Sequence, residues 1–296
     1  MSQNIPTHYA QQYADTIELL LQQKGSKLRE TVAFKGITGA KAASPVDQIG
    51  SVEATKRTSR YPTLTPADTP TDRPWVYPSD YDWNDLIDSI DKLRVLVDPQ
   101  SSYVQNGTYA MGRAIDREII GAFFGDRKTG EAGGTTVSFP AGQQVAVNFG
   151  ASGAVGLTVA KLREAKRLMM AAEVDLESDP ITMAITSKQH DNLLAEMQVI
   201  SLDFNEKPVL TEGMITRFLG FSFKQLELLQ TDSNSYRRIP AYAKSGTVYA
   251  EWNGISTDIS IRKDLAGLPV QVYVYGTFGS TRLQEKKTVE IKCSES

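Results

Sequence analysis

Two histidines, His8 and His190, are all the imidazole that this chain of 296 residues can place beside a nucleophile or a metal. A serine or cysteine triad would have to recruit one of them, and no G-x-S-x-G turn presents a serine for it to activate. Cys293 is alone and close to the C-terminus, so neither an intrachain disulfide nor a cysteine-based zinc site can form. The string Gly125 to Gly130 (GDRKTG) has the two glycines of a phosphate loop, but Glu131 stands where lysine is needed and a helical pattern precedes it instead of a strand. Gly150, Gly153 and Gly156 are spaced G-x-x-G-x-x-G, which is not the dinucleotide fingerprint and reads as a flexible loop before a helix. The aspartates from Asp80 to Asp91 have the hard oxygen chemistry that suits calcium or magnesium. Helical spacing explains them without a metal: Asp80 and Asp82 sit at a helix start, where the dipole favours negative charge, and Asp85, Asp88 and Asp91 fall on its polar face. No catalytic residue, cofactor or metal is expected.

Charge is the remaining chemistry, and its distribution is uneven. Between Lys24 and Arg60 there are eight basic residues against three acidic ones, whereas from Tyr61 to Gln100 there are eight aspartates against Arg73, Lys92 and Arg94. Two readings stay open. The segments are solvated faces, or they are complementary between copies, steering the basic segment around Lys56, Arg57 and Arg60 onto a neighbour's acidic segment around Asp82, Asp85 and Asp88. The net charge of -3 argues against a protein whose main task is coating nucleic acid.

The elements that must position these groups are read from periodicity. An amphipathic helix is expected from His8 to Lys24, with Tyr9, Tyr13, Ile17, Leu20 and Leu21 inward and Gly25 as its stop. From Glu30 to Asp80 only short extended pieces (Thr31 to Lys35, Ser51 to Thr58) interrupt a glycine- and proline-rich stretch of roughly fifty residues, far beyond the usual connection of about 4 to 6. Such a segment is disordered or is held by something outside its own domain. A helix is expected through Trp83, Leu86, Ile87, Ile90, Leu93 and Val97, ending at Asp98-Pro99. A longer one follows from about Ser101 to Phe124, about 35 Å in length. It buries Met111, Ile115, Ile119, Ala122 and Phe123, turns Arg113, Asp116 and Arg117 outward, and takes Gly125 as C-cap.

Beyond it come extended pieces at Thr135 to Phe139 and Gln144 to Phe149, and a helix from Thr158 burying Leu162, Ala165, Leu168, Met169 and Ala172. Next are a strand from Ile181 to Ile185 and a helix opened by a capping box, Thr186 to Gln189, with Leu193, Leu194 and Met197 inward. The remainder reads as strands: Val248 to Trp252, Val270 to Tyr275, and Val289, Ile291 and Cys293 alternating with Glu290 and Lys292. The class is α+β, with a core of ordinary size for an apolar content of 41%. Met1 to Thr7 lacks the regions of a secretory signal and no run of about 18 apolar residues occurs, so the protein is expected to be made and kept in a cytoplasm.

This order of features, and the strings HYAQQYADTIELLLQQKGSKLR (8–29), SDYDWNDLIDSIDKLRVLVDP (79–99), SLDFNEKPVLTEGMITRFLGFSF (201–223) and RKDLAGLPVQVYVYGTFGSTRLQEKKTVEIK (262–292), resemble the major capsid proteins of tailed bacteriophages. The resemblance implies the Hong Kong 97-type fold: an N-terminal arm over residues 1–29, an extended β-hairpin loop over 30–80, and a peripheral domain over 81–149 with its spine helix at about 101–124. An axial domain over 150–262 and C-terminal strands over 263–296 that return to the peripheral domain complete it. It also implies a subunit that assembles with itself, as pentamers and hexamers, into an icosahedral shell enclosing double-stranded DNA in a virion. Scaffolding, portal and decoration proteins are the further partners, packaged DNA is contacted without sequence preference, and no membrane is involved. An encapsulin-like compartment shell shares that fold. A small-molecule enzyme with a carboxylate site is the reading from another class.

Overall fold

A computed structural model describes residues 19–39, 41–43, 46–61, 66–87, 100–196 and 214–295. The strands are β1 (Ala33–Gly36), β2 (Gln48–Ile49), β3 (Thr71–Asp72), β4 (Ser79–Ile87), β5 (Arg127–Thr129), β6 (Thr135–Val137), β7 (Gln144–Val145), β8 (Ile181–Ile185), β9 (Arg217–Phe218), β10 (Phe221–Gln225), β11 (Arg237–Ala243), β12 (Thr247–Ile261), β13 (Val270–Arg282) and β14 (Thr288–Cys293). The helices are α1 (Gln100–Phe124), α2 (Val159–Ala171) and α3 (Ser187–Leu194). The chain divides into two compact units. One takes residues up to Ser26, Asp80–Arg113 and Ile255–Gly276; the other takes Lys27–Ser79, Ala114–Gly254 and Thr277–Ser296.

In the first unit the helix expected through Trp83 is a strand. Residues Ser79–Ile87 alternate, with Tyr81, Trp83, Asp85 and Ile87 on one face and the exposed Asp80, Asp82, Asn84 and Leu86 on the other. The string satisfies a 2-residue period as well as the helical one, and aromatic side chains suit the pleated surface of a sheet. The sheet wins, and β4 forms its end strand in the order β1-β12-β13-β4. Asp80 and Asp82 therefore do not cap a helix. Ile90, Leu93, Val97 and Asp88 lie outside the described residues. Trp83 packs where Gly107 leaves room: a Cβ there would stand 2.5 Å from the indole and 2.8 Å from Val274. Gly112 admits backbone in the same way, since its Cβ would meet Gly25 at 2.5 Å. The expected helix from His8 to Lys24 lies mostly outside the described residues, and its last part, 19–24, is irregular chain. That chain is tied to α1 by Arg113, which donates to Gln22 Oε1 at 2.7 Å, and by Gln22, which donates to Asn106 Oδ1 at 3.1 Å.

The second unit is built on a six-stranded sheet in the order β7-β14-β11-β8-β10-β9. Its central strand β8 runs antiparallel to β11 and parallel to β10. Every residue of β8 is buried, as its unbroken apolar string requires. The alternation expected of β14 does not give it a wet face, because Glu290 is buried too and is held by an ion pair with Arg238. Helix α2 starts at Thr158, whose hydroxyl accepts the Lys161 N–H, and buries Leu162, Ala165 and Met169. Lys161 is buried as well, its ammonium donating to Val155 O at 2.7 Å and Lys292 O at 2.9 Å. The thiol of Cys293 is buried, which pushes its pKa up to about 12 and leaves it unreactive.

The capping box at α3 is replaced by a network. Thr186 accepts nothing from the helix N–H groups; its hydroxyl meets Gln189 Oε1 and lies 3.0 Å from Glu295. Glu295 also accepts two bonds from Arg237, at 2.9 and 2.6 Å, and one from Gln189 at 3.1 Å. The Arg237 bonds hold its carboxyl down to about 2, against an ordinary 4.5. A depressed carboxylate stabilises the fold above its unfolded pKa, and that contribution is lost as pH falls from about 4.5 towards 2. Glu295→Gln should therefore lower the urea midpoint at about pH 6 and leave a smaller gap from the wild type at about pH 3.5. An unchanged gap would assign Glu295 no linked proton.

Candidate assembly surfaces

The described parts of 43–76 form a hairpin whose two legs pair at Gln48 with Asp72 and Ile49 with Thr71, and whose base closes at an isolated bridge between Ala43 and Val76. Its root is locked. Arg127, 6% exposed, places its guanidinium 2.8 Å from Asp72 and 2.8 Å from Glu285, and donates to Leu283 O at 2.6 Å. Asp72 also accepts from the Thr129 hydroxyl. Partial burial pushes the Asp72 carboxyl up, but Thr129 and the Arg127 charge outweigh it and leave it below the usual carboxylate range. Trp75 adds an indole bond to Gly130 O at 2.6 Å and a backbone bond to Lys128 O at 2.9 Å. The GDRKTG string thus ends α1 and walls the hairpin root.

The lock at Arg127 rests on a second buried arginine. Gly125 lies outside the left-handed region and forms no glycine C-cap. Arg282, 1% exposed, instead donates to Phe123 O at 2.8 Å and Gly125 O at 3.0 Å, closing the helix with a side chain. Asp116, read from the sequence as outward, is fully buried and accepts the N–H groups of Lys27 at 3.1 and 3.0 Å and Leu28 at 3.0 Å. Sequence reasoning missed Arg127, Arg282 and Asp116. The one available signal was Asp116 lying next to Ile115 and at i-3 from Ile119 on the buried stripe.

Past the root the hairpin changes character. Every residue from Ser51 to Tyr61 is exposed, including Val52 and, at 85%, Tyr61. The stretch 51–58, expected to be extended, belongs to no strand, and 59–61 bends. Lys56, Arg57 and Arg60 all sit here, and among the described residues none meets a carboxylate; Arg57 donates to Arg60 O at 3.1 Å. Of the acidic positions, Asp82 is on the exposed face of β4 and Asp85 on the opposite one, its carboxylate accepting the Leu86 N–H at 2.8 Å. Asp88 lies outside the described residues. His190 accepts the Ile215 N–H at 3.1 Å, a structural role. Among the described residues no group of three or more histidine, cysteine, aspartate or glutamate side chains could hold a metal ion.

A model of the phage capsid protein family matches residues 5–295. The chain belongs to the phage capsid protein family. Solved capsid structures share its fold at low identity. The capsid of cyanophage P-SCSP1u is 14% identical with a TM-score of 0.75, over 98% of this chain and 94% of that one. The capsid of cyanophage Pam1 is 12% identical with a TM-score of 0.73, over 99% of each chain. The head of Helicobacter pylori bacteriophage KHP40 is 10% identical with a TM-score of 0.72, over 100% and 99%. No curated protein matches the sequence. This capsid protein is a structural component of the virion and its head shell, with no enzymatic role, and the enzyme reading from the sequence is set aside.

Removing the buried guanidinium leaves the partly exposed carboxylates of Asp72 and Glu285 and the Leu283 carbonyl without their shared donor. Arg127→Met should lower the melting temperature of the capsid protein and speed amide exchange across 71–76. Unaltered exchange there would mean that strand pairing alone holds the root.

Proposed function

We propose that this capsid protein builds the closed icosahedral head shell of a tailed phage around double-stranded DNA, assembling as pentamers and hexamers in the bacterial cytoplasm. The observation that carries the reading is the hairpin with a locked root and a tip that its own chain leaves uncovered. A tip of that kind is buried by a neighbour. Residues 1–29 serve as the arm, 30–80 as the extended loop, 81–149 as the peripheral domain, 150–262 as the axial domain, and 263–296 as strands returning to the peripheral domain. Scaffolding, portal and decoration proteins are the partners such a shell uses. DNA is contacted without sequence preference, and with a net charge of -3 isolated subunits should bind duplex weakly at physiological salt.

The basic tip, with Lys56, Arg57 and Arg60, docks on a neighbour's acidic stretch around Asp82, Asp85 and Asp88. Like charges opposed across an interface cost several kcal/mol, whereas a single exposed pair is worth about 0 to 1. The triple reversal to glutamate should therefore abolish closed shells under electron microscopy while leaving the subunit's melting temperature unchanged, and reversing the three aspartates in the same chain should restore them. Trypsin should cut at the tip before assembly and much more slowly after it. Normal shells from the triple variant would reduce these charges to solvated surface, and a stable monomer under every assembly condition, scaffold included, would sink the shell reading itself.

A further inference from the structure

Among the described residues, strand β4 ends its sheet and is nine residues long, an edge on which a further strand can pair. Its two acidic positions named above, Asp82 and Asp85, are three residues apart and so face opposite sides of the strand. A ligand lying on one face reaches only one of them. A strand added to the edge reaches both, provided its own charges are also three apart. Arg57 and Arg60 are three apart, in a segment that is fully exposed and, among the described residues, outside every sheet.

We propose that residues 56–61 of one copy add as a strand to the outer edge of β4 of another copy, with Arg60 opposite Asp82 and Arg57 opposite Asp85. The proposal rests on the shell reading and specifies how the tip docks: by backbone pairing in register, with the charges selecting that register. An antiparallel course sets Thr58 opposite Asn84 and Tyr61 opposite Tyr81. A parallel course would also match the charges, with Arg57 at Asp82 and Arg60 at Asp85, but it sets Tyr61 against Leu86. The antiparallel one gains the aromatic cross-strand pair and the stronger ladder. The bend at 59–61, closed by the Arg57 bond to Arg60 O, opens on docking.

The test places cysteines at exposed positions of the full-length protein and oxidises assembled shells. Directly opposed residues have Cβ atoms about 4.5–5.5 Å apart, close enough to form a disulfide with a small adjustment. Thr58→Cys with Asn84→Cys should give a ladder of linked dimers and higher species on a non-reducing gel from shells, and none from unassembled subunits. The neighbouring pair, Ser59→Cys with Asn84→Cys, should give little. Buried Cys293 does not interfere. A ladder from the second pair instead would overturn the antiparallel register, and intact shells with no ladder from either pair would overturn strand addition while leaving the shell function standing. Wild-type protein gives an independent reading, because pairing should slow amide exchange at 57–60 at least about tenfold on assembly. Exchange there as fast in shells as in free subunits would refute the proposal even if the cysteine variants failed to assemble.

Discussion

A guanidinium buried beneath the last carbonyls of a long helix is costly to desolvate, and the helix-end carbonyls that it bonds offset part of that cost. Arg282 does this at the end of α1: one terminal nitrogen donates to Phe123 O and Gly125 O, Glu285 lies at 4.0 Å and the Phe139 ring 5.0 Å from the guanidinium carbon, and among the described residues its other two nitrogens have no hydrogen-bond partner. Burial pushes its pKa down, and the side chain still carries its charge, as arginine does throughout proteins. The same residue ends β13, and Leu283 directly after it supplies the carbonyl for Arg127. Helix end, strand end and hairpin root are therefore fixed within a few residues of one another. Shifting any one of them would strand a buried charge.

That rigidity gives the exposed hairpin its meaning. A tip ordered only by its own contacts would have to offset about 1 to 2 kcal/mol of backbone entropy per residue, and 51–61 buries nothing in return. The root does not order the tip. It fixes the two ends from which the tip projects.

Much of this was legible in the sequence where one period stood alone. Strand β8 was placed at its observed bounds, α1 within one residue, and the start of α2 at Thr158, since buried apolar runs act over a few neighbouring residues. The string at 79–87 misled because Trp83, Leu86 and Ile87 fit a helix while Tyr81, Trp83 and Asp85 fit a strand, and pairing with distant residues decides between them. Gly125 misled for a related reason: the helix end is closed by a side chain 157 positions away. The charge asymmetry was visible at once, but the faces on which Asp82 and Asp85 stand depend on the strand that replaced the expected helix. Long-range arginine contacts leave no local trace. Arg127 and Arg282 look like any surface cations in the string.

The hairpin tip and the β4 edge are different surfaces of the same molecule, so a contact between them has a direction. If each copy gives one tip and receives another, a two-fold pair satisfies both only where each tip reaches the partner's edge at the same time. Without that reciprocal exchange the association ends where a ring closes, or continues as an open chain with an unused tip at one end and an unused edge at the other. Closure is then set by the angle that the hairpin makes with its own root. A small change of that angle alters how many copies complete a turn.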